Sequence, residues 1–394
     1  MKLTIERSAL LRALGHVQNV VERSNTIPIL SNVQLVADVG AGADADADAG
    51  GLKLTATDLD LAVVETVAAE VGQPGGTTAP AHILHDIVRK LPDGAQVELD
   101  SSADDGRLTV RAARSKFSLS CLPREDFPVM ADSDLPHQFV LPAADLRRLI
   151  EKTRFAISTE ETRYYLNGIY LHAPEDAPKD APVLRGVATD SHRLAHIEVP
   201  LPQGAAGMPG IILPRKAALE VLKLIEGSSG QGSSSQGDGA VEIALSDSKI
   251  RFNLGSIVLT SKLIDGTFPD YRRVIPVGND SRMEVDCKSF SAAVDRVATI
   301  SSEKSRAVKL AVSADTVVLS ANNPEQGSGT DEVPVNFNGP EALEIGFNAR
   351  YLLDIAGQIE GENVCFDLSD GASPTIIRDA ADQGALYVLM PMRV

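Results

Sequence analysis

One short pattern recurs along this chain and limits the folds that it can adopt. Residues 187–194 read Val-Ala-Thr-Asp-Ser-His-Arg-Leu; residues 54–59 read Leu-Thr-Ala-Thr-Asp-Leu, and residues 318–323 give a fainter copy, Val-Leu-Ser-Ala-Asn-Asn. Successive copies are roughly 130 residues apart, which is the length of a whole domain rather than of a short solenoid repeat. The pattern therefore predicts one domain that occurs three times in tandem.

A second pattern keeps the same interval. An amphipathic run that ends at a glycine and passes into a β-patterned stretch begins at Pro80, at Pro214 and at Asn348. Because two independent patterns share one spacing, chance similarity is a poor explanation. We therefore divide the 394 residues into three copies of one domain, at 1–134, 135–278 and 279–394.

Each copy is expected to contain two helices and several short strands, which makes an α+β domain. Apolar residues at helical spacing follow Ser8, which we expect to be the N-cap of the first helix. Pro142 is expected in the first turn of the third helix, and residues 28–37 are expected to form a strand. Two insertions interrupt the pattern, an acidic low-complexity hairpin at 40–51 and a disordered Gly/Ser/Gln surface loop at 227–239.

The composition argues against several classes of protein. The formal net charge is −17, so the molecule as a whole repels nucleic acid, and tryptophan is absent, which disfavours gripping single strands by base stacking. Cys121, Cys287 and Cys365 show no pairing pattern and are expected to be reduced. The sequence shows neither a signal peptide nor an apolar run of membrane-spanning length, so we expect a soluble, cytoplasmic protein without a membrane partner.

The distribution of charge is more informative than its total. The six predicted helices together carry about +7, which leaves about −24 on the rest of the chain. One interpretation is a positive surface built from helices, which could hold phosphates without sequence preference. The other is that these are ordinary solvated helix faces, and charge alone leaves both interpretations open.

The sequence predicts no catalytic, metal or cofactor site. Asp190, Ser191 and His192 are the residue types of a hydrolytic triad, but neighbours in a strand point in different directions and do not assemble one. Two histidine pairs lack the sequence context of a zinc site: His82 with His85, and His192 with His196. The acidic insertion lacks the closing glutamate of a calcium loop, and no glycine-rich phosphate-binding motif is present.

Five stretches carry a family resemblance: Arg-Tyr-Tyr-Leu-Asn-Gly at 163–168, Ala-Thr-Asp-Ser-His-Arg-Leu at 188–194, Phe-Pro-Asp-Tyr-Arg-Arg-Val at 268–274, Ala-Asn-Asn-Pro-Glu-Gln at 321–326, and Met-Pro-Met-Arg at 390–393. In these residues the chain resembles the bacterial DNA polymerase III beta subunit, or sliding clamp, family. The resemblance runs in order along essentially the whole chain, and several of the motifs are six residues or longer.

The resemblance implies three tandem clamp domains, each with two helices and two small antiparallel sheets, and a head-to-tail homodimer that closes into a pseudo-sixfold ring. Helices would line the hole around double-stranded DNA, which is held topologically and without sequence specificity. The implied function is a replication processivity factor without enzymatic activity or cofactor. Implied partners are the DNA polymerase III alpha subunit, the clamp loader delta subunit, and translesion polymerases and mismatch-repair proteins with clamp-binding peptides.

The family's peptide-binding cleft lies between copies two and three, and the resemblance transfers its residues to this chain. Methionine suits such a cleft, because its side chain adapts to apolar groups of different partners. The peptides would place a Leu-Phe-like pair in the pocket and a glutamine at its rim. The implied cleft residues are Leu166, Thr189, His192, Arg193, Leu194, Pro269, Arg273, Val274, Asn348, Tyr351, Pro374, Val388, Met390, Pro391 and Met392.

The resemblance implies two further sets of residues. The implied DNA contacts are Arg23, Arg114, Lys116, Tyr164, Tyr165, Arg215 and Lys216. The implied dimer contacts are Phe117 and Leu119 of one subunit against Thr299 and Ile300 of the other. The chain departs from the family pattern at Ser24, Ser191 and Ser305, which leaves the pocket depth and the peptide preference open.

Two other functions are compatible with parts of the sequence. One is a DNA-modifying hydrolase that uses residues 190–192, and the other is an acidic scaffold that binds peptides but never encloses DNA. Turnover by metal-free protein would favour the hydrolase. Retention on circular DNA that is lost on linearisation would favour the clamp over the scaffold.

Overall fold

The structure, a computed structural model, describes residues 1–22, 26–39, 50–103, 106–131, 134–228, 239–301 and 306–393. It divides into two compact units: unit 1 comprises residues 1–144 and 219–263, and unit 2 comprises residues 145–218 and 264–394. Most of the two predicted insertions, residues 40–49 and 229–238, lies outside the described residues. The units follow shared sheets rather than the sequence repeat, so the domain boundaries after residues 134 and 278 stay a prediction.

Six α-helices and twenty-six strands are found in the described part of the chain. The helices are α1 (Arg7–Gln18), α2 (Ala81–Lys90), α3 (Ala143–Glu151), α4 (Arg215–Ser228), α5 (Cys287–Ala298) and α6 (Ala349–Ala356). The strands of copy one are β1 (Lys2–Glu6), β2 (Asn32–Asp38), β3 (Gly51–Thr57), β4 (Leu61–Ala68), β5 (Glu70–Gln73), β6 (Gly75–Pro80), β7 (Gln96–Asp100), β8 (Arg107–Ala112) and β9 (Ser115–Ser120). Those of copy two are β10 (His137–Pro142), β11 (Gly168–His172), β12 (Val183–Thr189), β13 (Arg193–Pro200), β14 (Ile211–Pro214), β15 (Ala240–Leu245), β16 (Lys249–Leu254) and β17 (Ile257–Lys262). Those of copy three are β18 (Ser281–Asp286), β19 (Ala307–Val312), β20 (Thr316–Asn323), β21 (Gly327–Pro334), β22 (Asn336–Phe337), β23 (Leu343–Asn348), β24 (Asn363–Leu368), β25 (Thr375–Asp379) and β26 (Asp382–Leu389).

The strands form four antiparallel sheets whose order repeats the sequence pattern. Unit 1 contains the sheets β5-β1-β7-β8-β9 and β10-β15-β16-β17-β4-β3-β2-β6, and unit 2 contains β14-β11-β12-β13-β26-β25-β24-β18-β22 and β21-β20-β19-β23. The order β4-β3-β2-β6 of copy one recurs as β13-β12-β11-β14 and as β21-β20-β19-β23. The predicted triplication is therefore confirmed. Each copy supplies two groups of strands, and groups from neighbouring copies merge where β17 joins β4 and β26 joins β13.

The helices form where apolar side chains recur at three- and four-residue spacing. Leu10, Leu14 and Val17 of α1 are buried, as are Phe290 and Val294 of α5. The six helices contain twelve basic and seven acidic side chains, a net charge of +5 on a chain of −17. The helices are therefore basic relative to the rest of the protein, although by less than the sequence-based helix bounds indicate.

One predicted helix cap is wrong. Ser8 is not the N-cap of α1, because the Glu6 carboxylate accepts a hydrogen bond from the Ala9 amide at 3.1 Å. The longer acidic side chain reaches back over the first turn, and the helix begins at Arg7.

Two predictions at prolines are also wrong. Pro142 is the last residue of β10 rather than part of α3, because residues 137–142 pair along their whole length with β15. Pro28–Ser31 is a 3-10 turn rather than a strand, and β2 starts at Asn32. The fixed φ of Pro28 is close to the helical value, so this proline suits the first position of the turn.

The remaining global predictions concern cysteines, membranes and metals. Cys121, Cys287 and Cys365 are reduced thiols, as predicted. In the part of the chain that the structure describes, no helix is long and apolar enough to span a membrane. The described residues also contain no group of three or more His, Cys, Asp or Glu side chains arranged to hold a metal ion.

Candidate functional site

The repeated sequence pattern forms a tight loop between two strands. In unit 2 the Thr189 hydroxyl donates to the Arg193 carbonyl at 2.7 Å and accepts from the Ser191 amide at 3.1 Å. One carboxylate oxygen of Asp190 accepts from the His192 and Arg193 amides, both at 3.0 Å. Ser191 has a φ of 75°, a left-handed backbone that most side chains avoid. The Asp190 carboxylate therefore holds a loop and is not available to orient a catalytic histidine.

The same hydrogen bonds recur in unit 1. Thr57 donates to the Leu61 carbonyl at 2.9 Å and accepts from the Leu59 amide at 3.0 Å. Asp58 accepts from the Asp60 and Leu61 amides at 2.9 and 2.7 Å, and Leu59 has a φ of 81°. The sequence similarity between these stretches thus records a shared turn.

Arg193 is the centre of the site's polar half. Its side chain is only 8% exposed, with its guanidinium donating to Asp190 at 3.0 Å, Asp354 at 2.5 Å and the Phe155 carbonyl at 2.6 Å. The guanidinium carbon lies 4.3 Å from the centre of the Tyr351 ring and 5.1 Å from that of Phe155. Arg193 therefore fixes β13 to α6 and to the segment after α3, and it is not an exposed contact residue.

Tyr351 presents its ring beside the loop histidine. Its helix, α6, is capped by Asn348, whose side-chain oxygen accepts from the Arg350 and Tyr351 amides at 3.0 and 3.4 Å. The Tyr351 and His192 rings stack with centres 6.2 Å apart. Burial, and then the nearby Asp190 carboxylate, raise the pKa of Tyr351, so its phenol stays protonated and can donate a hydrogen bond.

An apolar cluster forms the floor of the site. It combines residues of β12, β13, β14, β25 and β26 with the turn around Tyr271. Its buried members are Leu166, Val187, Leu194, Ile212, Phe268, Tyr271, Ile376, Leu386 and Val388. The β13–β26 pairing sets Leu194 opposite Val388, so copies two and three both contribute to this floor.

The segment after β26 lies against the loop and against copy three. The Met390 amide donates to the His192 carbonyl at 2.9 Å, and the Met392 amide donates to the Gly346 carbonyl at 2.8 Å. Met390 is 40% exposed and Val274, in the 3-10 turn Tyr271–Val274, is 47% exposed. Large apolar side chains at the surface next to an apolar floor are suited to binding a peptide.

All fifteen residues of the implied cleft lie in unit 2. Leu166, Thr189, Arg193, Leu194 and Val388 are buried. The partly exposed members are Asn348, Tyr351, Pro374, Pro391 and Met392, and the exposed ones are His192, Pro269, Arg273, Val274 and Met390. Four residues of the site are not among those that the sequence implies: Asp354 and Phe155, which hold Arg193, and Tyr271 and Ile376 in the floor.

The implied DNA contacts are spread over both units. In unit 2 the Arg215 amide donates to the Asn167 carbonyl at 3.0 Å, which sets the start of α4 beside the segment that carries Tyr164 and Tyr165. Tyr164 is 54% exposed. Lys216 follows on α4, Arg114 and Lys116 lie exposed at the β8–β9 hairpin of unit 1, and Arg23 is outside the described residues.

Two of the implied dimer residues lie on an edge strand, and the other two follow a helix that contacts another edge strand. Phe117, 37% exposed, and Leu119 are on β9, the edge strand of the five-stranded sheet in unit 1. Thr299 and Ile300 follow α5 in unit 2, where Arg296 bonds Asp331 of the edge strand β21 at 2.7 Å. The two family departures at Ser24 and Ser305 fall outside the described residues.

A buried histidine network lies behind the apolar floor. The His172 ring nitrogen is 3.0 Å from the Tyr271 hydroxyl, which accepts from Arg185 at 2.8 Å, and Arg185 is held by Glu198 at 2.6 Å. Burial, followed by the Arg185 charge, lowers the pKa of His172 to about 4 and that of His196 to about 4. Both rings are neutral near pH 7, so the network is structural.

Comparison with known proteins gives a family. Models of the DNA polymerase III beta subunit match the chain in order: the N-terminal domain over residues 1–131, the central domain over 140–270 and the C-terminal domain over 272–393. The beta sliding clamp of Caulobacter vibrioides (strain NA1000 / CB15N) is 52% identical over 394 residues, and that of Escherichia coli (strain K12) is 40% identical over 395 residues; both alignments cover 100% of each chain.

Solved structures agree with these relatives. A DnaN sliding clamp (DNA polymerase III subunit beta) from Bartonella birtlesii bound to griselimycin has a TM-score of 0.92 at 48% identity. The DNA polymerase sliding clamp from Caulobacter crescentus has a TM-score of 0.89 at 52% identity. Each comparison covers 100% of both chains.

Proposed function

The chain belongs to the DNA polymerase III beta subunit family, and from this premise we propose which residues perform each part of the work of a sliding clamp. Its function is that of a DNA sliding clamp, a non-catalytic subunit that gives the replicative DNA polymerase its processivity. The protein acts as a dimer, with DNA and a polymerase as partners.

Two edge strands carry the proposal for how the dimer closes. In both merged sheets, the last strand of one copy pairs with the strand that ends the four-strand order of the preceding copy. Thus β17 of copy two pairs with β4 of copy one, and β26 of copy three pairs with β13 of copy two. By the same rule β9 of copy one would join β21 of copy three, and each of these strands is the edge of its sheet. Pairing β9 of one subunit with β21 of its partner, twice, closes a head-to-tail ring.

The dimer residues that the resemblance implies would lie at this pairing. Phe117 and Leu119 of β9 would meet Thr299 and Ile300, which lie beside β21 of the partner. Ile300 lies directly beside β21 of its own subunit, because a Cβ added at Gly329 of β21 would be 3.2 Å from an Ile300 side-chain carbon. The apolar side chains are therefore at the edge that the pairing would cover.

DNA would be enclosed rather than gripped. The basic helices supply a weakly positive lining, and the negative remainder discourages DNA from binding elsewhere. The proposed contacts are Arg23, Arg114, Lys116, Tyr164, Tyr165, Arg215 and Lys216. A lining that holds phosphates and reads no bases leaves the ring free to slide.

Partners would dock in the cleft of unit 2. The apolar floor and the exposed Val274 and Met390 suit a Leu-Phe-like pair, and Tyr351 and His192 at the polar end suit a glutamine. We assign this cleft to the DNA polymerase III alpha subunit, the clamp loader delta subunit, translesion polymerases and mismatch-repair proteins. They would share it by carrying similar short peptides.

Retention on DNA of different topology tests enclosure. The purified protein is loaded onto a nicked circular duplex with a clamp loader and ATP, and then freed of loader by gel filtration. We expect the protein to stay on the circle and to leave when a restriction enzyme linearises it. Equal retention on both forms would contradict enclosure and would favour a scaffold that binds DNA only at its surface.

A further inference from the structure

A polar cavity of unit 2 lies at the polar end of the cleft and shares His192, Arg193 and Tyr351 with it. Its volume is about 420 Å³, and most of its lining is charged or carries a hydroxyl group. Its wall comes from the segment that follows α3, from the loop at Asp190, and from the first residues of α4 and α6. The resemblance assigns no role to Arg154, Ser158 and Thr159 of its wall.

The carboxylates of the cavity are neutralised by arginines of the protein. Glu160 pairs with Arg163 at 3.1 Å. Asp190 and Asp354 both pair with Arg193, at 3.0 and 2.5 Å, and Arg350 lies 4.0 Å from Asp354. An incoming anion would therefore meet no unpaired negative side chain among the described residues of this wall.

Two arginines of the same wall remain uncompensated. Arg154 and Arg215 are exposed, and within the described residues neither guanidinium has a carboxylate at ion-pair distance or another hydrogen-bond acceptor. The hydroxyl groups of Ser158 and Thr159 line the cavity with them. Arginine presents a planar fork of donors that matches the oxygens of a phosphate.

We propose that this cavity binds a phosphate of the DNA backbone, and that Arg154 and Arg215 both contact that phosphate. The proposal rests on the clamp function, because it supposes DNA close to α4. The Tyr164 and Tyr165 segment follows the Arg154–Glu160 wall directly in sequence, and Asn167 accepts the Arg215 amide at 3.0 Å. The cavity therefore continues the surface assigned to DNA. The acidic flank of a partner peptide is the competing occupant, since His192 and Tyr351 also line it.

The salt dependence of duplex binding tests this assignment. Each phosphate contact contributes about 0.9 to the slope of log affinity against log salt concentration. We expect Arg154→Gln to make the slope shallower by about 1, and Arg154→Lys to keep most of it because the charge remains. The matched control is Arg272→Gln, which removes an exposed arginine already paired with Asp270 at 2.8 Å; its slope should equal that of the unmodified protein.

A slope for Arg154→Gln equal to that of the unmodified protein, with both proteins folded by thermal melting, would overturn the proposal. If the same variant also binds a clamp-binding peptide with an acidic flank more weakly, the cavity is assigned to the peptide. The unmodified protein is tested in parallel on nicked circular DNA. Its retention there is independent of Arg154, so failure of the clamp function is distinguished from failure of this assignment.

Discussion

Arg193 and His192 are neighbours, yet their side chains have opposite roles. The His192 side chain is exposed and faces the Tyr351 ring, whereas Arg193 is buried and bonded to two carboxylates and a carbonyl. A buried guanidinium in such a network positions the residues to which it is bonded. Arg193 therefore ties the Asp190 loop to α6.

Replacing Arg193 by lysine tests that positioning role. Lysine keeps the charge but lacks the planar set of donors of the guanidinium group, so one or two of the hydrogen bonds to Asp190, Asp354 and Phe155 are lost. We expect Arg193→Lys to lower the free energy of unfolding by about 2 kcal/mol and to weaken peptide binding. Urea unfolding and a peptide titration measure the two effects. Arg350→Lys is the control, because Arg350 is exposed and 4.0 Å from Asp354; an equal loss in both variants would contradict the role of Arg193.

The histidine network predicts a pH dependence of stability. His196 has a pKa of about 4 in the folded protein and 6.5 as its ordinary value, so between these pH values the unfolded chain binds more protons. The free energy of unfolding should fall as pH drops from 6.5 towards 4, by on the order of 1–2 kcal/mol for this residue. Urea unfolding at pH 7.5 and at pH 5 measures the fall, because the interval between these two pH values includes about one pH unit or more of the range between the two pKa values.

The comparison of variants isolates the histidine. His196→Gln cannot titrate, so it should lose less stability than the unmodified protein over the same pH change. His137→Gln, which replaces a histidine of unit 1 outside this network, should lose as much as the unmodified protein. Parallel curves for all three proteins would show that His196 does not contribute.

The resemblance implies members of the cleft, but it does not predict their exposure. Leu166 and Leu194 belong to motifs that carry the resemblance, and the structure buries both in the apolar floor. Asp354 and Phe155 were beyond prediction, because their bonds to Arg193 span 161 and 38 residues and leave no local periodicity. Contacts of this kind depend on the packing of distant elements.

At the scale of elements, the strands that the sequence predicts are those with apolar alternation. Helices α1 and α5 and strands such as β8 and β15 follow from their spacing of apolar residues. Strands β6 and β21, Gly-Gly-Thr-Thr-Ala-Pro and Gly-Ser-Gly-Thr-Asp-Glu-Val-Pro, were not predicted, because glycine and polar residues dominate them. The merging of sheets at β17–β4 was also missed, since strand partners far apart in sequence carry no local signal.

The segment after β26 is the element whose removal should separate two functions. It contributes Met390 and Met392 to the cleft and is tied to His192 and Gly346 by backbone bonds. We expect removal of residues 390–394 to weaken peptide binding at least about tenfold, or ~1.4 kcal/mol, while the dimer persists. Fluorescence anisotropy and native mass measure the two properties. Removal of residues 393–394 alone keeps both methionines and should leave peptide affinity unchanged; a monomer after either truncation would refute this division of roles.

At the scale of the whole molecule, one rule of strand pairing would serve both folding and assembly. The junctions β17–β4 and β26–β13 hold neighbouring copies together within the chain, and a β9–β21 junction between subunits would complete the series. Such a ring holds DNA by its topology, so its affinity for DNA can stay low. Dimer integrity, rather than tight binding, would then set how long the protein stays on a circle.

Charged residues at the β9 edge should therefore release DNA without touching the peptide cleft. In Phe117→Asp with Leu119→Asp, two carboxylates would be buried against the partner's Ile300, and the dimer dissociation constant should rise about 100-fold or more, ~3 kcal/mol. We expect a monomer by native mass and loss from nicked circular DNA, with peptide affinity unchanged because the cleft residues all lie in unit 2. Val140→Asp is the control, since Val140 is 52% exposed on β10, another edge strand of unit 1. An intact dimer in the double variant, or a monomer in the control, would contradict the assignment of this edge.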